Sequence, residues 1–332
     1  SNYDIWVGTY QNGLFKIDHN TGCFQQMDLP DPTSQNKPKI YSIVEDNNKQ
    51  LWMGAMGAGI YKIDMKSLHV TSLPSYNGDL EYDLQKNALF NNWVNCIYYS
   101  SNNKLYFGTY NGFGCIDINT HDFVSTYGIN QFLQGEVVYA IYEDRDKNIW
   151  IGTHNGLIKF NTQTQEFKSY TTDDGLPSNS IAAIKGDDND NLWISTNYGV
   201  ARFHTQSENI VNFYTRDGLQ GNEFTKGAAF QGRRGDINFG GPGGVTFFNP
   251  KEIINPNKKL QIKISDFYVH DKSIYRKIAS ENKGIVNMDI DRTNEFYLSN
   301  QDNSFSIEFT AMEYYNPERI SYQYNFNGHG WI

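Results

Sequence analysis

Three carboxylates within four residues, Asp187, Asp188 and Asp190, are the kind of cluster that can offer oxygen ligands to calcium. A second acidic set, Asp79, Glu81, Asp83 and the distant Glu223, has the residue type that glycoside hydrolysis needs, two carboxyl groups about 5–10 Å apart in a cleft. His154 is a single imidazole. None of these arrives with a motif: there is no GxSxG, no HExxH, and GGPGG at 240–244 lacks the Lys-Ser/Thr of a phosphate loop. The fuller pattern is one of recognition. Tyr76, Tyr82, Phe90, Trp93, Tyr10, Tyr110 and Tyr198 supply flat aromatic faces, and Asn91, Asn92, Asn179, Asn222, Glu223 and His154 supply polar partners. Such a mixture suits a sugar ring, which presents C–H patches and hydroxyl groups together. No catalytic residue, metal ligand or cofactor is assigned.

A repeat positions these residues. DIWVGTYQNGLFKID opens it at 4–18, followed by QLWMGAMGAGIYKID at 50–64 and KLYFGTYNGFGCID at 104–117. NIWIGTHNGLIKF at 148–160, NLWISTNYGVARF at 191–203 and a worn copy, DINFGGPGGVTFF at 236–248, complete it. The markers Trp6, Trp52, Tyr106, Trp150, Trp193 and Asn238 are spaced by 46, 54, 44, 43 and 45 residues. A period in the forties built from short strands predicts propeller blades.

Each unit reads as four antiparallel strands joined by hairpins. IYSIVED at 40–46 and VYAIYED at 138–144 are first strands, the LWIGT-type segment is the second, GLIKFN-type the third and EFKSYTT-type the fourth. The middle strands are apolar at consecutive positions, as befits a sheet buried on both faces. Gly8, Gly54, Gly108 and Gly152 then allow the adjacent blade to approach, with Ser195 the small exception. Asp187, Asp188 and Asp190 occupy the slot held elsewhere by EDNNKQ and EDRDKN, a turn where Asp and Asn cap with their own side chains. Turn chemistry is thus the simpler account of the acidic cluster.

Composition agrees. Of 332 residues 39% are hydrophobic, 15% aromatic and only 20% charged, which favours pleated sheet. A net charge of −9 argues against a nucleic-acid partner. QGRRGD at 231–236 reads as a hairpin turn, and no apolar run reaches membrane-spanning length. Cys23, Cys96 and Cys115 form no disulfide framework and no CxxC pair.

DDGLPSNSIAAIKGDDNDNLWISTNYGVARF resembles the two-component-regulator propeller repeat. DGLQGNEFTKGAAFQGRRGDINFGGPGGVTFFNP at 217–250 resembles the last blade of the periplasmic sensors of hybrid two-component systems. LQIKISDFYVHDKSI and LSNQDNSFSIEFTAMEYYNPERISYQYNFNGHGWI are similar to the first half of the triple-tyrosine domain that follows such propellers. The resemblance implies an all-β chain with a β-propeller over 3–255 and an incomplete immunoglobulin-like β-sandwich over 260–332. It implies five full blades plus three strands of a ring that closes with seven. It also implies a periplasmic part of an inner-membrane receptor, with a further N-terminal propeller, a second protomer and an oligosaccharide ligand. A membrane-linked histidine kinase would then control transcription.

In such blades the turns between second and third strands and the connections between blades emerge on one face. That face carries Tyr10, Tyr110, His154, Tyr198, Asn179, Asn222 and Glu223, and the insertion at 74–93 brings Tyr76, Tyr82, Phe90, Asn91, Asn92 and Trp93. The expected function is ligand sensing there. The alternatives are a propeller serving protein–protein contact and a polysaccharide lyase or hydrolase.

Overall fold

The computed structural model describes residues 4–30, 37–73, 91–133, 135–253, 262–273, 298–302 and 304–311. The chain divides into two compact units, Ser1–Ile253 and Ile254–Ile332. The first is a series of six antiparallel sheets in chain order. Blade 2 shows the pattern: Lys39–Glu45, Gln50–Met56, Gly59–Asp64 and Val70–Ser72 pair consecutively. Blades 3, 4 and 5 repeat it from Val94, Val138 and Ile181.

The first and last blades have three strands each. Blade 1 comprises Ile5–Gly8, Leu14–Ile17 and Phe24–Met27, and blade 6 comprises Ala229–Gln231, Ile237–Gly241 and Gly244–Phe248. Among the described residues, then, four blades show all four strands where five were expected. After Phe248 the chain turns into a short 3-10 segment, Pro250–Glu252, capped by Asn249, whose side chain accepts the Lys251 N–H. Proline has no N–H to give a fourth strand, and its fixed φ starts the turn instead.

The core lies between blades rather than within them. Five apolar clusters form, one for each successive pair of blades. The marker aromatics join them: Trp52 packs with Val94 and Ile97 of blade 3, and Trp150 with Ile181 and Ile184 of blade 5. In blades 2, 4 and 5 the indole N–H is satisfied by an aspartate six residues earlier: Trp52 to Asp46 at 2.8 Å, Trp150 to Asp144 at 2.7 Å and Trp193 to Asp187 at 2.9 Å. Where Tyr106 replaces Trp, Ser100 stands in the aspartate's place and bonds its own turn instead.

The recurring glycines of the second strands have a steric reason. A Cβ at Gly8 would lie 2.5 Å from Ile40 Cγ2, at Gly54 2.7 Å from Val94 Cγ1, at Gly108 2.4 Å from Val138 Cγ1 and at Gly152 2.5 Å from Ile181 Cγ2. In each case the clash is with the first strand of the next blade. The outward faces of the terminal blades lack such cover among the described residues. Ile5, Val7 and Phe24 of blade 1 and Phe230, Val245 and Phe247 of blade 6 are exposed, although Leu157 and Val200, the counterparts of Val245, are buried.

One element had no signal in the repeat. Helix α1, Tyr127–Leu133, follows a fourth strand of only two residues, Phe123–Val124. Asn130 on α1 completes the sheet: its Oδ1 accepts the Phe113 N–H at 2.9 Å and its Nδ2 donates to the Phe113 carbonyl at 2.7 Å. One amide side chain thereby mimics the backbone of the missing strand.

Lys185 stands where blades 3 and 4 have Tyr98 and Tyr142, opposite Trp193. Burial pulls its pKa below the usual lysine value of 10.5, and no ion pair to it forms among the described residues. The folded state holds this proton less tightly than the unfolded chain, so the penalty is full at low and neutral pH and is relieved as pH rises toward 10.5. Lys185→Met is expected to stabilise the propeller at pH 7 by about 1 kcal/mol and to flatten that rise. Thermal melts of both proteins over a pH series that runs from neutral up to the ordinary lysine value check this.

The second unit, by itself, shows a three-stranded antiparallel sheet in the order Lys272–Ser273, Ile262–Val269, Phe305–Ala311. Phe305, Ile307 and Phe309 alternate along one face and are exposed among the described residues, while Phe305 stacks on Phe267 at 5.6 Å. Most of the range 260–332 read from sequence as a sandwich lies outside the described residues.

Candidate functional site

The turns that carry the candidate residues are built by one local device. Thr109, Thr153 and Thr196 each donate the side-chain O–H to a glycine carbonyl three residues on, at Gly112, Gly156 and Gly199. The same oxygens accept the N–H of Asn111, Asn155 and Tyr198. The Thr leaves the next side chain outside the turn, so Tyr110 and His154 project from the same face of blades 3 and 4.

The insertion ends on that face. Asn91 Oδ1 accepts the Trp93 N–H at 2.8 Å, the Asn92 carbonyl accepts the Gly59 N–H, and Trp93 bridges to Met56 of blade 2 and to Tyr110 N of blade 3. Asn92 Oδ1 is buried without a partner among the described residues. Trp93 and Tyr110 meet edge to face at 5.1 Å and 82°. Tyr76, Tyr82 and Phe90, the other aromatics of the insertion, lie outside the described residues, as do Asp79, Glu81 and Asp83.

Tyr41 enlarges the aromatic surface. It lies 6.1 Å from Tyr10, and burial, followed by the neighbouring Tyr10 and Tyr110 hydroxyls, holds its pKa above the ordinary tyrosine value. Tyr10, Tyr41, Tyr110 and Trp93 thus form one platform across blades 1 to 3, and they remain 55%, 46%, 38% and 47% exposed. Exposed as they are, these rings are not part of the apolar core, and an exposed aromatic patch is a candidate for contact with a ligand or partner.

Sequence reading missed Tyr41 because it sits in a bulge. In the first strands of blades 2 to 5 the register slips at one residue: Tyr41, Asn95, Tyr139 and Ala182. Neighbouring first strands bond one another, Asn95 Nδ2 to the Val138 carbonyl, Ile97 N to Ser42 Oγ and Gly227 N to the Ala182 carbonyl. The bulge residues therefore occupy equivalent positions on successive neighbouring first strands. A bulge re-aims a side chain, and the aligned column Tyr41, Asn95, Tyr139, Ala182 was the available signal.

The remaining candidates are placed apart from the platform. Asn179 Oδ1 accepts the Thr172 N–H at 2.7 Å and Asn222 Oδ1 the Thr215 N–H at 2.9 Å. Both close the same loop, a 3-10 turn with a capping aspartate, Asp174 or Asp217, and a left-handed glycine, Gly175 or Gly218. These amides hold DGLPSN and DGLQGN in shape. His154 Nδ1 lies 3.4 Å from Ser180 Oγ, and Tyr198 rests 5.7 Å from Tyr214. Glu223 is exposed and its backbone carbonyl accepts from Gln220.

The opposite face is ionic. Asp188 pairs with Lys251 at 2.9 Å and Arg145 at 3.6 Å, and Arg145 reaches Asp190 at 3.3 Å. Asp187 accepts from Asn189 N, Asn191 N and Trp193. The three carboxylates thus engage turn donors and cations and do not converge on a shared point, and no metal-holding cluster of three or more such groups occurs among the described residues.

Six consecutive blades with these repeats define a β-propeller array. The two component regulator propeller family matches residues 88–111, 133–155 and 175–198, the stretches that end on the Thr turns. Histidine kinase P4 of Formosa agariphila is 26% identical over 98% of this chain and 24% of its own length. Among solved structures, the extracellular domain of the hybrid two component system BT3049 from B. thetaiotaomicron superposes with a TM-score of 0.68 at 24% identity, over 94% of this chain and 40% of that one. The extracellular domain of BT4673 from the same organism gives 0.58 at 21% identity, over 92% and 40%. The chain thus spans about a quarter of the curated relative and two fifths of the solved domains. It carries two component regulator propeller repeats in these stretches, and the matches support its reading as the sensor region of a hybrid two-component system.

Proposed function

We propose that this chain is the ligand-recognising, extracytoplasmic part of a membrane-anchored hybrid two-component receptor, and that its ligand is an oligosaccharide derived from a glycan. The platform of Tyr10, Tyr41, Tyr110 and Trp93 is the observation that supports it. Stacked sugar rings would cover these faces, and Asn95 at the adjoining bulge offers an amide to their hydroxyls. The second unit would be the start of a triple-tyrosine sandwich that relays binding to a kinase and so to transcription. No helix among the described residues is long and apolar enough to cross a membrane, so the anchor belongs to another part of the receptor.

A second reading, contact with further protein, is favoured by the exposed apolar faces of blades 1 and 6. It concerns the edges of the array and is compatible with the first. Calorimetric titration of the chain with a panel of neutral and acidic oligosaccharides, alongside assays for released product, tests the proposal. Saturable heat without turnover is expected. No binding to any member, or cleavage of one, would overturn it.

A further inference from the structure

Two lysines each lie against a tyrosine ring and are held by that tyrosine alone. Lys39 Nζ lies 4.5 Å from the centroid of the Tyr10 ring and 3.4 Å from its hydroxyl. Lys226 Nζ lies 3.5 Å over the ring of Tyr139, the bulge residue of blade 4. Lys226 belongs to the segment entering blade 6, and it reaches blade 4 past Ala182, the small bulge residue of blade 5. Neither lysine has a carboxylate in ion-pair range among the described residues.

Several other cations of this acidic chain are paired with carboxylates. Lys16 meets Asp4, Lys49 meets Glu45, Lys168 meets Glu208, and Lys251 meets Asp188. Of the other cation–aromatic contacts, Lys62 on Trp52, Lys159 on Trp150 and Arg202 on Trp193 recur at one blade position over buried indoles, Lys168 on Tyr170 also pairs with Glu208, and Arg216 lies over Tyr214. Lys39 and Lys226 follow no such repeat. Lys39 starts the first strand of blade 2 and Lys226 precedes that of blade 6, each beside a tyrosine ring and without a carboxylate partner among the described residues.

We infer that the oligosaccharide recognised here is acidic, bearing carboxylate or sulfate groups, with Lys39 and Lys226 as the residues that select for charge. The inference rests on the proposed saccharide site. A tyrosine face holds an exposed ammonium weakly and leaves its N–H donors available for a charge-assisted bond. An acidic sugar uses both features at once, laying its C–H face on the ring and its anion on the lysine. A neutral sugar uses only the first.

The test compares tetrasaccharides of galacturonate, mannuronate and sulfated galactan with their carboxyl-reduced or desulfated counterparts, by calorimetry on this chain at low and high salt. At least one acidic member is expected to bind at least about fivefold more tightly than its neutral partner, with the preference shrinking as salt screens it. Lys39→Met with Lys226→Met should bring the ratio to near one while leaving neutral binding and the melting temperature in place. Lys251→Met, on the opposite face, should leave the ratio unchanged. Binding of neutral members at equal or greater strength, or an undiminished preference in the double variant, overturns the inference and leaves the saccharide site standing. Binding of no member overturns both.

Discussion

Gly108→Ala is expected to cost the propeller about 2–3 kcal/mol, and Gly108→Val more, because the added carbon has no space. Its Cβ would stand 2.4 Å from Val138 Cγ1 and 2.7 Å from Cys96 Sγ, inside a cluster that joins blades 3 and 4. Val138 is fully buried and cannot swing clear. Gly128 on α1 is the control, since no atom lies within 4 Å of the place its Cβ would take, and Gly128→Ala should be neutral or slightly stabilising. Chemical denaturation measures both. A double-mutant cycle with Val138→Ala should recover part of the Gly108→Ala loss, and strict additivity would mean that the cost arises within blade 3 rather than at its interface.

The second large effect falls on binding. Trp93→Ala should weaken the ligand by roughly 1–3 kcal/mol, the order of burying one aromatic side chain, with little change in stability because the ring is half exposed. Tyr110→Ala should cost less by itself but couple to Trp93, whose edge it meets at 5.1 Å. Asp188→Ala, on the ionic face, should leave affinity untouched, since exposed ion pairs there serve the turn. Equal losses from both faces would assign Trp93 a role in folding rather than contact.

Much of the propeller was legible because each blade faces the same packing problem. Trp six residues after Asp, Gly in the second strand and Thr before the turn each meet one local requirement, so they recur and can be aligned. The departures follow from solutions used once. Asn130 replaces a strand with a side chain, which no strand pattern reveals, and Pro250 ends blade 6 early. The site was half legible for a related reason. Trp93 and Tyr110 stand on turns, where a projecting ring is conspicuous, whereas Tyr41 looks like an ordinary strand residue until the slipped register turns it outward. Asn179 and Asn222 misled in the opposite sense: their recurrence after DGL marked a shared loop structure, and the amides are spent on Thr172 and Thr215.

Hydrogen–deuterium exchange, with and without an oligosaccharide that binds in calorimetry, tests most directly whether the aromatic face is where this sensor meets its ligand. Added protection is expected in segments 39–43, 93–97 and 109–112, the strands and turn that carry Tyr41, Trp93 and Tyr110. No change is expected at 186–191, the acidic turn on the opposite face. Protection confined to 186–191, or absent from all of these segments while heat of binding is recorded, would contradict a ligand site on the aromatic face.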